Sequence, residues 1–111
     1  MLSSRALRAA ALRAIKLIEE QGFRRGKRGS GLCVGDTIAA ADPKKKYRWT
    51  LWVRAESVIC ATTLMRRTNG GMHLLPSWND KLGRTNEEAI ELLRCVATQF
   101  TNRVHHKLVY A

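Results

Sequence analysis

The sequence predicts an all-α fold, a small single-domain bundle of about four helices over residues 1–111. Three observations carry this expectation. Apolar residues recur at spacings of three and four through long segments near both ends of the chain. Helix start and stop residues bracket those segments. The stretch richest in β-branched residues, 50–71, lacks the turn chemistry that a hairpin would need.

The first helix is expected over 4–21. Ser3 or Ser4 can cap it, because a hydroxyl satisfies a free amide of the first turn. Leu7, Ala10, Ala11, Ala14, Leu17 and Ile18 fall on one face, with Arg5, Arg8, Arg13 and Lys16 mainly off it. Gly22 ends the helix, since glycine takes the left-handed conformation cheaply. "GFRRGKRGSG" (22–31) then reads as an exposed basic loop. It lacks the G-x-x-x-x-G-K-[ST] order that cradles a phosphate.

"GLCVGDTIAAADP" (31–43) predicts a short helix over 31–41, with a strand at Leu32–Val34 as the competing reading. As a helix it aligns Cys33, Thr37 and Ala40 beside Val34, Ile38 and Ala41. Its small residues, Gly35 and Ala39 to Ala41, would admit a close neighbour. Asp42-Pro43 stops it.

A third helix is expected over 51–67, with Leu51, Ala55, Val58, Thr62 and Met65 at helical spacing and Asn69-Gly70-Gly71 as its stop. "MHLLPSW" (72–78) reads as a connector broken by Pro76. The last helix, 86–104, follows a capping box, Thr85-x-x-Glu88. Glu87 and Glu88 suit the positive end of its dipole. Ile90, Leu93, Ala97, Phe100, Val104 and Leu108 supply its stripe.

Charge is the strongest compositional signal. The net charge is +11, and 45% of residues are apolar. Residues 1–54 hold thirteen basic and four acidic side chains, against seven and five in 55–111. A cationic half attracts polyanions: nucleic acid, an anionic membrane or an acidic protein surface. Arg24, Arg25, Lys27 and Arg28 form one cluster and Lys44, Lys45, Lys46 and Arg48 a second, with Tyr47 and Trp49 interleaved. If a helix at 31–41 separates them, both clusters can contribute to one face that contacts backbone phosphates. Tyr47 or Trp49 can then stack on an unpaired base. The plainer reading is a solvated surface with Trp49 in the core. No polar recognition helix of the helix-turn-helix kind is evident.

Cys33, Cys60 and Cys95 are odd in number and widely spaced, which argues for a reducing, cytoplasmic setting. Together with His73, His105 and His106 they match no compact zinc spacing, so buried small hydrophobes are the expectation, with no metal or cofactor. Residues 1–18 carry too many arginines to span a membrane, and their periodicity runs on into Glu19-Glu20 as a helix rather than a transit peptide. Asp80 with His105 is the one conceivable acid–base pair, and it would meet only by coincidence of folding. No catalytic constellation emerges, and a non-enzymatic protein is expected.

"WNDKLGRTNEE" (78–88) is the densest motif. Trp78, Asn79, Asp80 and Arg84 have the makings of a binding loop. Turn chemistry at a helix entry also accounts for each residue type: Trp78 as an anchor, Asn79 or Asp80 tying nearby amides, Gly83 freeing the backbone, and Thr85 with Glu88 as the cap.

The order of "IEEQGF", "GLCVGDTIAAA", "NGG" and "WNDKLGRTNEEAIELLRCVA" resembles an uncharacterised family of small proteins from actinobacteria and their phages, over about residues 6–98. The most specific part is the Trp-Asn-Asp-x-x-Gly-Arg-Thr-x-x-Glu run. The region around Cys33 and Gly35 departs from the family pattern, since Asp36 stands where a small residue is expected. The resemblance implies an all-helical fold and a bacterial or phage origin, and it supplies no catalytic residue.

Overall fold

The computed structural model describes residues 3–24, 31–66, 74–81 and 83–100. Five helices lie within them: α1 (Ser4–Gln21), α2 (Val34–Ala41), α3 (Arg48–Thr62), α4 (Leu74–Asn79) and α5 (Asn86–Thr98). No strand is present among the described residues. An isolated parallel bridge joins Phe23 to Leu32, which is all that the strand reading of 32–34 retains.

Helix α1 spans the expected residues. The Ser3 hydroxyl accepts from the Ala6 amide at 3.3 Å, and the Gly22 amide donates to the Ile18 carbonyl from a backbone at φ +84°. Its buried face is the expected one with Ile15 added, while Leu17 is only half-buried. Ala10, Ala11 and Ala14 are fully covered, as is Ala89 of α5, and Ala97 of α5 is nearly so. Small side chains on both buried faces suit close approach, and α1 and α5 form the most extensive helix pair. Helix α5 also packs against α3. Covered on two flanks, it buries Ala89, Leu92 and Val96 as well as Leu93 and Ala97, whereas Ile90 is half-buried. The helix ends at Thr98, short of the expected 104, because the chain tightens into a turn in which the Gln99 and Phe100 amides donate to the carbonyls of Val96 and Ala97; residues beyond 100 lie outside the described residues.

Helix α3 differs from expectation at both ends: it starts at Arg48 rather than 51 and stops at Thr62 rather than 67. The start is set by Asp42, whose carboxylate accepts from the amides of Tyr47 and Arg48. The stop is made by hydroxyls. Thr62 and Thr63 donate back to the carbonyls of Val58 and Ile59, each at 2.7 Å. The Arg66 guanidinium then donates to the carbonyls of Cys60, Thr63 and Met65. The arginine contact to Cys60 satisfies a carbonyl that the helix end leaves open. Thr62 is therefore exposed and Met65 lies past the helix.

The connector expected at 72–78 is replaced in large part by α4. Pro76 does not break it, because Pro76 is the third residue, where a missing N–H removes no intrahelical bond. The first turn is held by Glu56 of α3, which is 1% exposed. Its Oε2 accepts from the Leu75 amide at 3.1 Å and from Trp52 Nε1 at 3.0 Å.

Helix α2 contacts α1, α3 and α4, so it is more than an appendage to the bundle. The Cα radius of gyration is 13.2 Å; a single compact domain of this length should give about 13 Å.

The position of α2 depends on Asn79, the last residue of α4, which is 2% exposed. Its Oδ1 accepts from the buried Val34 amide at 2.8 Å. Its Nδ2 donates to the Arg24 carbonyl at 3.2 Å and to Asp80 Oδ1 at 2.9 Å. Replacing Asn79 with Ala strands the Val34 amide and should lower stability by about 1–3 kcal/mol, read as a shift of the urea midpoint. Asn79→Asp keeps the acceptor for Val34 but sets a second carboxylate against Asp80, so it too should destabilise.

Candidate nucleic-acid interface

The 78–88 motif folds as a turn and cap. Trp78 is 5% exposed, and the Arg84 guanidinium stacks over its ring with 3.9 Å from Cζ to the centroid. Arg84 also donates to the Trp78 carbonyl at 2.9 Å and to Glu88 at 2.6 Å. That hydrogen bond holds the Glu88 carboxyl below its ordinary range. Gly83 turns the chain at φ +87°, and Thr85 and Glu88 form the complete reciprocal capping box. Asn79 does more than expected from a turn residue, since it ties an amide 45 positions away. Asn86, unremarked in the sequence, accepts from the Phe23 amide at 3.0 Å.

The basic residues divide into two kinds. Arg24 leaves the chain beside the N-terminus of α2 and pairs with Asp36 at 2.9 Å. Arg48 is committed to the other end of α2, donating to the carbonyls of Ala39 and Asp42 at 3.4 and 2.9 Å. There it complements the negative end of the α2 dipole. Lys44, Lys45 and Lys46 are exposed in the turn between α2 and α3, and none is paired with a carboxylate among the described residues. Lys46 Nζ lies 5.5 Å from the Tyr47 ring centroid. Lys45 takes a left-handed backbone at φ +57°. Arg25, Lys27 and Arg28 lie outside the described residues. Arg24 and the lysine turn lie at opposite ends of an eight-residue helix, about 12 Å apart along its axis.

A groove runs along α2 between those ends. One part, a cavity of about 440 Å³, is walled by Ile38 and Ala39 of α2 and by Arg48, Trp49 and Trp52 of α3. A second, of about 240 Å³, continues toward Arg24, Asn79 and Asp80. Cys33, Gly35, Asp36 and Trp52 line both. Gly35 makes this shape possible, since a Cβ there would stand 2.7 Å from Trp52 Cζ3. The small-residue expectation for α2 is met at this position. Trp49 was expected in the core if the charge were merely solvating; instead it is 63% exposed at the mouth of the groove, and Trp52 is the half-buried one.

The cysteines are half-buried rather than fully buried as expected: Cys60 and Cys95 pack against the outside of the core, and Cys33 precedes the first residue of α2. Cys33 caps α2, its Sγ accepting from the Asp36 amide at 3.3 Å. Burial pushes the thiols of Cys33 and Cys95 up, Glu91 adding to the effect at Cys95, so both favour the protonated and less nucleophilic form. No group of three or more metal-binding side chains forms among the described residues. His73, His105 and His106 lie outside them, and so does the pairing of Asp80 with His105.

The fold and surface define a small helical protein with a cationic turn beside an aromatic groove. The chain belongs to a protein family of unknown function, DUF6197, whose model matches residues 4–99. No curated protein and no solved structure matches it. No helix among the described residues is long and apolar enough to cross a membrane.

The turn that presents the lysines is itself held by Asp42. Burial pushes its carboxyl up, but the amides of Tyr47, Lys46 and Arg48 and the Arg48 guanidinium outweigh that and hold it below the ordinary value. A lowered folded value means that this stabilisation is complete above the unfolded range, about pH 4, and is lost as pH falls through the folded one. Asp42→Ala should cost about 1–2 kcal/mol at pH 7. In thermal melts the gap between wild type and variant should hold from neutral pH to about pH 5 and close in stronger acid.

Proposed function

We propose that this protein binds nucleic acid through its backbone phosphates and performs no chemistry on it. One observation carries the reading: Lys44, Lys45 and Lys46 stand exposed, without carboxylate partners among the described residues, with the exposed Trp49 following after Tyr47 and Arg48. The net charge of +11 supplies long-range attraction to the same kind of partner. Arg25, Lys27 and Arg28 extend the contact in this reading, with Arg24 and Arg48 shaping its floor rather than acting as free cations. Three half-buried free cysteines suit a reducing interior, so a cytoplasmic protein of bacterial or phage origin is part of the proposal. An acidic protein surface would engage the same lysines and is the rival occupant.

A gel shift with random-sequence DNA and RNA, titrated with salt, tests this reading. Neutralising six phosphates gives a log–log salt slope of about −5. Replacing Lys44, Lys45 and Lys46 together by Gln should weaken binding to every sequence alike and flatten the slope by about 2–3. Absence of any shift at low salt would remove the proposal. Capture of a host protein that survives nuclease treatment would then favour the acidic-surface reading.

A further inference from the structure

The geometry points to single-stranded nucleic acid as the ligand, with an unpaired base seated in the α2–α3 groove against Trp49; this rests on the phosphate-binding reading above. The groove and the lysines have opposite characters, and the contrast is the argument. Lys44, Lys45 and Lys46 offer charge without a cavity. The groove offers about 440 Å³ of largely apolar space without a free cation, since Arg48 is engaged with α2 carbonyls. Its edge carries the Asp36 carboxylate, which is paired with Arg24, so this edge offers a phosphate no unpaired positive charge. A ligand matched to both must be anionic along one side and planar and apolar along the other. A nucleotide chain with its bases unstacked meets that description at every residue, whereas an acidic peptide meets it only where aromatic side chains alternate with its acids and a duplex keeps its base faces hidden.

Trp49 is the residue suited to receive the base. It is the second residue of α3, next to Arg48, and is 63% exposed. Trp52, three positions on, shares its helix face and forms the groove floor with its edge packed on Gly35. Trp52 is held by its hydrogen bond to the buried Glu56, so the floor is set before any ligand arrives. A preformed aromatic wall of this kind avoids part of the ordering cost of binding. The Arg24–Asp36 pair lies toward the far end, where the second cavity continues the path.

The test uses the full chain and fluorescence anisotropy with three labelled probes of equal length at one salt concentration. These are a single-stranded oligonucleotide, made as DNA and as RNA, the corresponding duplex, and a strand of the same charge whose central positions lack bases. The expected result is tightest binding to the intact single strand, with quenching of tryptophan emission. Trp49→Ala should weaken that probe about 5- to 100-fold, leave the abasic strand nearly unchanged and preserve the salt slope. Trp49→Phe, which keeps a ring, should retain most of the affinity. Because Trp49 is exposed, neither variant should disturb folding, and an unchanged thermal melt checks this. Equal affinity for all three probes, indifferent to Trp49→Ala, overturns the base-seating inference and leaves phosphate binding standing. Failure of every probe to bind at low salt overturns both.

Discussion

The arrangement of this domain depends on one buried amide. Asn79 sits at the end of α4, and its side chain serves three partners that are remote or adjacent in sequence: the first residue of α2, the carbonyl of Arg24 and the neighbouring Asp80. A side-chain amide carries both a carbonyl acceptor and N–H donors, so Asn79 accepts from one backbone group while donating to another. A buried Val34 N–H without this acceptor would be a lasting penalty, so α2 is positioned by satisfaction of a hydrogen bond as much as by its apolar face. Asn86 repeats the device on the adjoining segment by accepting from Phe23. Together the two asparagines connect Phe23, Arg24 and Val34 to α4 and α5, and the groove along α2 inherits its geometry from them.

The distribution of acids explains why so much positive charge is left at the surface. Asp42 is consumed in starting α3, Glu56 in holding α4 and Trp52, and Glu88 in capping α5 while pairing with Arg84. Asp36 pairs with Arg24, Glu91 with Arg94 and Glu20 with Lys16. Acidic side chains of this protein serve mainly as structural connectors among the described residues. The lysines between α2 and α3 consequently keep their charge available to solvent and to any ligand that arrives there.

How much of this was legible in the sequence depended on whether the cause lay nearby in the chain. The first helix was read with its limits because period, cap and stop are local to it. The start of the last helix was equally clear from Thr85 and Glu88. The limits of α3 were not, since Asp42 acts from six residues before Arg48, and the stop depends on hydroxyls and an arginine folding back. Helix α4 is hidden in the sequence because a proline inside an apolar run reads as a breaker, although its place in the first turn makes it harmless. The basic and aromatic residues of the candidate site were all visible as types. What sequence could not say was which tryptophan is covered: Trp49 and Trp52 share a face, and only the notch at Gly35 decides it. Nor could it distinguish Arg48, spent on the end of α2, from the three lysines beside it.

Lys45 carries a consequence for how this turn can vary. Its left-handed backbone, φ +57°, is a conformation that glycine adopts freely and a lysine only at a cost, of about 1–2 kcal/mol. Exchange for glycine would relax the main chain and delete a cation in the same stroke. Robustness of the fold and grip on a polyanion therefore pull in opposite directions at this one position, and a family member with glycine there would have settled the conflict in favour of the backbone.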